Sequence, residues 1–241
     1  MRIAVISDIH GNLDAFEAVL TDIERSDIDH VISLGDNIGY GPESEEVVRR
    51  IMERQIPSVL GNHEKVIPDP EFLDWFNPMI QESMEKILGQ LSEESIAFIR
   101  AMEPSLARWN SRFVHGFPPE STSTYLFQVS EAEIWNAMKA YPERLCFVGH
   151  THELQLVSTD GERIEYPHFG RGVTRLNADT RYIVNVGSVG QPRDGDNRAK
   201  YVIRDVGENT LEVRFVPYDI EAVVQKILKA GLPEFNAYRL R

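Results

Sequence analysis

The first sixty residues of the chain alternate between two hydrophobic periods. Short, nearly continuous apolar runs occur at RIAVIS (2–7), HVISLGD (30–36) and IPSVLGN (56–62), and such runs are typical of strands buried on both faces. Between them, residues 13–24 and 44–52 place apolar side chains at helical spacing. This strand–helix–strand alternation predicts right-handed crossovers and a mainly parallel sheet.

The segment from about 66 to 110 has a different pattern. Its apolar residues recur at helical spacing in EFLDWF, MIQESMEKIL and EESIAFIRAM, with prolines and a glycine between these stretches. We therefore predict a small helical insertion, which could act as a lid beside the strand ends. The cluster of Trp75, Phe76 and Met79 is interpreted as internal packing of this insertion.

The rest of the chain returns to strand patterns. Predicted strands lie at 111–116, 124–129 and 145–150, and predicted helices lie near 130–141 and at 218–231. Further β-type runs follow at close spacing: LQLVS, RIEY, YIVNVG, KYVIRDV and LEVRFVPY. Close spacing predicts meandering strands, so we expect the C-terminal half to build a second sheet against the first. The expected fold is a single α/β domain over 1–241, with two stacked sheets and helices outside.

Composition narrows the classes of partner. The chain has 241 residues and a net charge of −13, which disfavours binding to a nucleic-acid polymer but leaves a small phosphorylated substrate open. The single Cys146 fits a reducing compartment and is interpreted as core packing. The first apolar run, Ile3 to Ile6, is too short for a signal peptide, and no membrane-spanning run occurs. We expect a cytoplasmic protein that does not contact a membrane.

Polar side chains of the types that bind metals follow five of the predicted strands. In chain order they are Asp8 and His10, Asp36, Asn62 and His63, His115, and His150 with His152. The carboxyl ends of strands are where open α/β sheets bind ligands, so we expect these side chains to meet. Each could alone be a helix cap or a turn residue, but five such coincidences at strand ends favour a metal site. Imidazole and carboxylate donors suit Mn, Fe, Zn, Co or Ni.

These motifs resemble a known family. SDIHGN, LGDNIGYGP, GNHE, VHG and GHTH, in this order, resemble the calcineurin-like metallophosphoesterases, and NVGSVGQPRDGDNRAKY (185–201) is similar to the small phosphodiesterase-like branch of bacteria and archaea. The resemblance implies a four-layer αββα sandwich of two mixed sheets and hydrolysis by a metal-bridging hydroxide. It implies two divalent ions, with Mn or Fe favoured. One ion would be held by Asp8, His10, Asp36 and His152, and the other by Asp36, Asn62, His115 and His150, with His63 as the catalytic residue.

Two departures from relatives are visible. Protein Ser/Thr phosphatases carry GDxVDRG where this chain has GDNIGYG, so Gly39 and Tyr40 replace the Asp and Arg of that motif and a protein phosphatase is not expected. Leu60 stands where many relatives of the small branch have an arginine. Three residues remain as candidates for substrate contacts: Asn12, Tyr40 and Arg193.

Two functions from different classes follow from the resemblance. One is an enzyme that hydrolyses a small phosphomonoester, phosphodiester or nucleotide, including a nucleotide messenger or dinucleotide polyphosphate. The alternative is a non-catalytic metal-binding scaffold, similar to the retromer subunit of this fold. That scaffold lacks the histidine of the GNH motif, whereas His63 is present here, which favours the enzyme. The motifs do not select among the substrates, and apolar residues of the helical insertion leave a homodimer open.

Overall fold

The computed structural model of the protein describes residues 1–241 and contains eleven strands and eight α-helices. The strands are β1 (Arg2–Ile6), β2 (His30–Ser33), β3 (Ser105–Arg108), β4 (Ser111–Val114), β5 (Leu145–Val148), β6 (Leu154–Thr159), β7 (Ile164–Glu165), β8 (Gly172–Arg175), β9 (Arg181–Val186), β10 (Ala199–Asp205) and β11 (Thr210–Val216). The α-helices are α1 (Leu13–Glu24), α2 (Ser44–Glu53), α3 (Asn62–Lys65), α4 (Pro78–Leu88), α5 (Glu93–Arg100), α6 (Glu131–Ala140), α7 (Ile220–Lys229) and α8 (Glu234–Tyr238). Two 3-10 helices span Pro70–Trp75 and Leu126–Gln128.

The strands form two mixed sheets. One has the order β2-β1-β10-β11-β8, and the other has the order β3-β4-β5-β9-β6-β7. Strand β1 is parallel to β2 and antiparallel to β10, whereas β4, β5 and β9 are parallel neighbours. Both sheets therefore contain parallel strands whose carboxyl ends point in a common direction, and polar residues follow these ends.

A four-layer arrangement follows from which face each apolar side chain occupies. In β1, Ile3 and Val5 join the core between the sheets, while Ala4 and Ile6 face the core under α1 and α2. A strand buried on both faces needs this unbroken apolar run, because successive side chains point to opposite sides. A further core covers the outer face of the second sheet beneath α6. The predicted fold class, two stacked mixed sheets flanked by helices, is confirmed.

Helix α1 is fixed to the first sheet by polar contacts as well as by packing. Asn12 caps its start, with Oδ1 accepting from the backbone N–H of Ala15 at 3.1 Å. Near its end, Asp22 accepts hydrogen bonds from Arg214 at 2.8 and 3.0 Å and from the Tyr201 hydroxyl at 2.7 Å. These contacts tie the helix to β10 and β11. No helix of the protein is both long and apolar enough to span a bilayer.

Three expectations about the strands were wrong. Residues 56–62 form only a single bridge, between Ser33 and Ser58, because the backbone N–H of Leu60 bonds to Glu103 instead of to β2. Residues 124–129 contain a 3-10 helix, and 105–108, expected to be helical, form β3 because a tight hairpin pairs them with β4.

The C-terminal strands are divided between the sheets. Instead of forming the second sheet alone, β8, β10 and β11 extend the first sheet, while β6, β7 and β9 extend the second. The apolar pattern of a strand shows that it is buried but does not identify its partner, which is set by contacts distant in sequence. The first sheet is therefore completed by strands nearly two hundred residues away from β1.

The helices between Pro78 and Arg100 pack against the C-terminal helices. Their shared core includes Met84, Ile87 and Ile99 from α4 and α5, together with Val224 and Ile227 from α7. This core lies beside the loop that follows β2, and it continues to the aromatic side chain of Phe76. The helical segment is thereby held next to the ends of the strands.

Candidate metal centre

The seven predicted metal ligands lie together at the carboxyl ends of the strands. Each is at most 3% exposed: Asp8, His10, Asp36, Asn62, His115, His150 and His152. His63 lies beside them and is 2% exposed. Carboxylates that are buried to this extent need a partner of opposite charge, so a cluster of this composition is suited to a cation.

The backbone at this cluster adopts an uncommon conformation. Five of the donors have positive φ angles between 51° and 68°: Asp8, His10, Asp36, His150 and His152. Non-glycine residues occupy this left-handed region at a cost of roughly 1–2 kcal/mol each. Such outliers concentrate at functional sites, where surrounding contacts hold them in place. The turns after β1, β2 and β5 thus aim side chains inward at the expense of local stability.

One half of the cluster is formed by the turns after β1 and β5. His10 Nε2 lies 3.1 Å from His152 Nε2, and Asp8 Oδ1 lies 3.3 Å from His152 Nε2 and 3.7 Å from His10 Nε2. Asp8 Oδ1 is buried and accepts no hydrogen bond. An unpaired carboxylate oxygen between two imidazole nitrogens is an arrangement that a divalent cation satisfies.

The other half of the cluster surrounds His115. Its Nε2 lies 3.0 Å from Asn62 Oδ1, 3.2 Å from Asp36 Oδ2 and 3.2 Å from His150 Nδ1. Asp36 Oδ2 is also 3.6 Å from His10 Nε2, in the first half. The carboxylate of Asp36 therefore lies between both groups of donors and can contact two ions at once.

The second ring nitrogen of each donor histidine is occupied by a backbone carbonyl. His10 Nδ1 is 3.0 Å from the carbonyl of Ile38, His115 Nδ1 is 2.9 Å from that of Leu34, and His152 Nδ1 is 2.6 Å from that of Gln191. His150 makes the equivalent contact through Nε2, with Ser123 at 3.1 Å. A carbonyl only accepts, so each outer nitrogen carries the proton and the inner nitrogen keeps its lone pair for a metal.

Burial supports the same protonation state for two of these rings. It lowers the pKa of His150 to about 3 and that of His152 to about 4, so both rings are neutral at physiological pH. At His115, burial also lowers the pKa, but the carboxylate of Asp36 outweighs it and raises the pKa to about 9. A proton therefore competes with a cation for His115 Nε2, and metal binding there displaces that proton.

Asp36 is oriented by its neighbours along the GNHE motif. The backbone N–H of His63 donates to Asp36 Oδ1 at 2.9 Å. The buried carboxylate of Glu64 accepts from the backbone N–H groups of Asp36 at 2.9 Å and Asn37 at 2.6 Å. This function of Glu64 could not be predicted from the sequence, because the contact depends on the loop after β2 folding over α3.

His63 has a largely apolar environment. Its Nδ1 lies 3.2 Å from Met84 Sδ and its Nε2 lies 3.9 Å from Asp36 Oδ2, while its ring packs against Tyr40 and Phe76. Burial lowers the pKa of His63 well below its usual value. No carboxylate contacts Nδ1, and the position expected for one from the protein phosphatase motif is Gly39, where even an added Cβ would collide with the His63 ring.

Aromatic side chains narrow the entrance to the cluster. A cavity of about 30 Å³ reaches Asp36, Asn62, His63, His150 and His152, and its wall also contains Tyr40, Trp75, Phe76, Tyr125 and Arg193. The ring of Tyr125 stacks on His150 with 3.7 Å between ring centres. Trp75 and Phe76, expected only to pack within the insertion, thus also line the cavity, whereas Tyr125 was missed because it was assigned to a strand.

The three candidate substrate residues differ in position. Tyr40 and Arg193 line the cavity. Asn12 does not, because its Oδ1 caps α1 and its Nδ2 donates to the carbonyl of Gly190 at 2.8 Å. Both polar ends of Asn12 are therefore used in holding the loop after β9 against the start of α1.

A fully buried lysine supports the loop that carries Arg193. Lys200 Nζ lies 2.7 Å from Asp194 Oδ1 and donates to the backbone carbonyls of Asp196 and Arg198. The backbone N–H of Arg193 donates to the carbonyl of His152 at 3.1 Å. The loop after β9 is thus fixed at both ends, and Arg193 lines the cavity beside the candidate donors.

Comparisons with known proteins agree with this geometry. Residues 1–209 match the model of the calcineurin-like phosphoesterase superfamily domain. The chain is 37% identical over 245 aligned residues to the uncharacterized protein MJ0912 of Methanocaldococcus jannaschii, with 99% of this chain and 96% of that protein covered.

Solved structures are similar over the whole chain. A metallophosphoesterase from Sphaerobacter thermophilus has a TM-score of 0.84 and 36% identity, with 100% of this chain and 98% of that chain covered. The hypothetical protein PH1004 of Pyrococcus horikoshii has the same fold, with a TM-score of 0.80 at 18% identity and coverage of 99% and 97%. The chain therefore belongs to the calcineurin-like phosphoesterase superfamily and is a phosphoric ester hydrolase.

Proposed function

We propose that the protein is a dinuclear metal-dependent phosphoesterase that hydrolyses a small phosphomonoester, phosphodiester or nucleotide. The observation that carries the proposal is the position of the Asp36 carboxylate between two sets of buried donors. One ion would be held by Asp8, His10, Asp36 and His152, and the other by Asp36, Asn62, His115 and His150. Nitrogen and oxygen donors with no thiolate suit Mn, Fe, Zn, Co or Ni, and the family resemblance favours Mn or Fe among these ions.

Two such ions, when bound, supply activation of a water molecule and neutralisation of charge on the phosphoryl oxygens. The protein's own residues orient the substrate and assist the leaving group. Arg193 lines the cavity and places a positive charge beside His152, where it can contact a phosphoryl oxygen. The aromatic wall excludes water from the reacting centre, which strengthens these electrostatic contacts.

We assign to His63 the transfer of a proton to the leaving oxygen. Its Nε2 is the ring nitrogen on the side of Asp36, whereas Nδ1 faces the thioether of Met84, a weak hydrogen-bond acceptor. The ring is held by packing against Tyr40 and Phe76. Nε2 is therefore the nitrogen that would carry the transferred proton.

A small substrate is favoured over a polymer. Aromatic side chains line the cavity in front of the candidate donors, and the protein has a net charge of −13. The helical segment 66–110 contributes Trp75 and Phe76 to the cavity wall, which supports its role as a lid. A nucleic-acid polymer would require a basic groove that these residues do not provide.

The test is hydrolysis of bis-p-nitrophenyl phosphate and p-nitrophenyl phosphate, with Mn²⁺ or with a chelator, by the wild type, His63→Ala and His168→Ala. We expect metal-dependent turnover that falls by about 100-fold or more in His63→Ala, the range expected for loss of a general acid. His168 is exposed and outside every motif, so His168→Ala should retain full activity.

Metal content and Tm must be measured on the same preparations. Retained metal and an unchanged Tm in inactive His63→Ala would show that chemistry, not folding, was lost. Two bound ions without turnover of either substrate or of natural nucleotides would instead support the scaffold. The ratio of the two rates separates diesterase from monoesterase character.

A further inference from the structure

Arg193, which lines the cavity, and Arg239, which directly follows α8, have no carboxylate partner. Arg193 Nη2 donates to the side-chain oxygen of Gln191 at 2.8 Å, and its buried Nε has no hydrogen-bond partner. Arg239, just beyond α8, lies over the ring of Phe235 at 4.5 Å and forms no ion pair. By contrast, Arg241 is only two residues away and is paired with Glu221 at 2.8 Å. The two unpaired guanidinium groups are therefore available to an anion.

The C-terminal helix α8 holds Arg239 beside the Tyr40 loop. Asn236 Nδ2 donates to the backbone carbonyl of Tyr40 at 2.9 Å. Ala237 and Leu240 are buried in the core that also contains Ile38. Asn236 and Arg239 are three residues apart, and residues at this spacing lie on the same face of a helix. The helix face that contacts the Tyr40 loop is thus the face that carries Arg239.

Both charges act on the same aromatic side chain. The centre of the Tyr40 ring is 5.8 Å from Arg193 Cζ and 4.6 Å from the ring centre of His10. Burial raises the pKa of Tyr40, while the positive charges of Arg193 and Arg239 oppose the rise. Tyr40 therefore lies between the metal ligands and the two arginines.

The two like charges destabilise each other when no anion is present. Burial lowers the pKa of Arg239, and the nearby charge of Arg193 lowers it further. The chain contains 38 acidic residues, yet none pairs with either arginine. An anion between two guanidinium groups removes this repulsion and forms charge-assisted hydrogen bonds with both.

We propose that Arg193 and Arg239 form a second anion subsite, which binds a further phosphate group of a substrate whose reacting phosphate lies at the metal centre. This inference rests on the proposed function for the position of the reacting phosphate. The preferred substrates are then small molecules with more than one phosphate group, such as nucleoside bisphosphates or polyphosphates. Arg193, beside His152, contacts the side nearer the metals, and Arg239 contacts the outer side.

The test compares two ligands that differ by one phosphate group. Binding of thymidine 5′-monophosphate and thymidine 3′,5′-bisphosphate to the Mn²⁺-loaded protein is measured by calorimetry, with chromatography confirming that each ligand stays intact. We expect the wild type to bind the bisphosphate about tenfold more tightly, the range expected for one charge-assisted contact at a partly exposed site. In Arg239→Gln this preference should fall to about twofold or less.

Arg241→Gln is the matched control, because it removes the same charge from the same segment. It should keep the full preference and show that net charge is not the cause. Equal affinity of the wild type for the two ligands, binding of neither, or an unchanged preference in Arg239→Gln would overturn the inference. The binding preference and the hydrolysis of the p-nitrophenyl esters are measured independently. Failure of the wild type to hydrolyse these esters would count against the proposed function, whereas an unchanged binding preference in Arg239→Gln would count against the second anion subsite.

Discussion

Gly39→Ala tests whether the position of His63 depends on the absence of a side chain at residue 39. Gly39 has a φ of +100° and lies against the His63 ring. A Cβ there would lie 2.8 Å from Cε1 and 3.0 Å from Cγ of His63, and closer still to Nδ1. The substitution therefore strains the backbone and displaces the ring.

The backbone strain and the displacement of the His63 ring differ in magnitude and are measured separately, the strain as a fall in Tm and the displacement as a fall in kcat/KM. Left-handed backbone costs alanine about 1–2 kcal/mol, which corresponds to a fall in Tm of roughly 3–6 °C in a protein of this size. Ordinary contacts begin near 3.4 Å, so the ring must move by more than half an ångström and by about 1 Å once Nδ1 is cleared. A displacement of about 1 Å in a catalytic group lowers the rate by about 100-fold.

Gly161→Ala separates strain from displacement. Gly161 has a φ of +99°, and a Cβ there would meet no atom within 4 Å. We expect both variants to lose similar backbone stability, while only Gly39→Ala loses about 100-fold in kcat/KM on bis-p-nitrophenyl phosphate. If Gly39→Ala remains within about threefold of Gly161→Ala in kcat/KM, the close packing at residue 39 does not position His63 for catalysis.

Three other predictions concern the loop, the ion pair of α1 and the metals. Lys200→Met should lower the free energy of unfolding by about 2 kcal/mol in urea titrations and, because it displaces Arg193, raise KM in steady-state kinetics. Lys229 is exposed, so Lys229→Met should change neither quantity. Burial raises the pKa of Asp22, but hydrogen bonds from Arg214 and Tyr201 outweigh it, so the net pKa is lowered. That stability is therefore fully present above the unfolded pKa of about 4 and declines as the pH falls through the lowered folded pKa, so the destabilisation caused by Asp22→Asn in urea should shrink steadily as the pH is lowered below about 4. In thermal melts, Mn²⁺ should raise the Tm of the wild type by several degrees and the Tm of Asp36→Asn by less. An equal rise in the Tm of both proteins would contradict a carboxylate of Asp36 that is shared by two ions.

The positions of the donor side chains could be predicted from sequence because all except Asn62 follow a strand within a few residues, and Asn62 follows a segment that is bridged to β2. An apolar run locates the strand, and the first polar residues after it must emerge at the sheet edge. Asp8 and His10 after β1 and Asp36 after β2 show this directly. The prediction did not need the correct strand partners, since parallel neighbours deliver their carboxyl ends to the same edge whichever sheet they join.

The residues that shape the entrance could not be found in this way. Tyr125 stacks on His150 although it is in a 3-10 turn that the apolar pattern presented as a strand. Glu64 is adjacent to a recognised motif, but its bonds to the Asp36 loop depend on two segments meeting in space. Arg239 is distant in sequence from every motif, and the hydrogen bond from Asn236 to the Tyr40 carbonyl fixes its helix beside the Tyr40 loop.

The surroundings of His63 show the consequence of having Gly39 where the protein phosphatase motif has an aspartate. In GDNIGYG the carboxylate of the protein phosphatase motif is absent, and the imidazole is packed against a thioether and aromatic rings instead. A neighbouring carboxylate stabilises an imidazolium, whereas an apolar pocket favours the neutral ring. The negative charge of a bound substrate must then raise the pKa of His63, so that the ring takes up a proton from water before it donates that proton to the leaving oxygen. A substrate with more than one phosphate group supplies more of that negative charge, which links the character of His63 to the proposed pair of arginines.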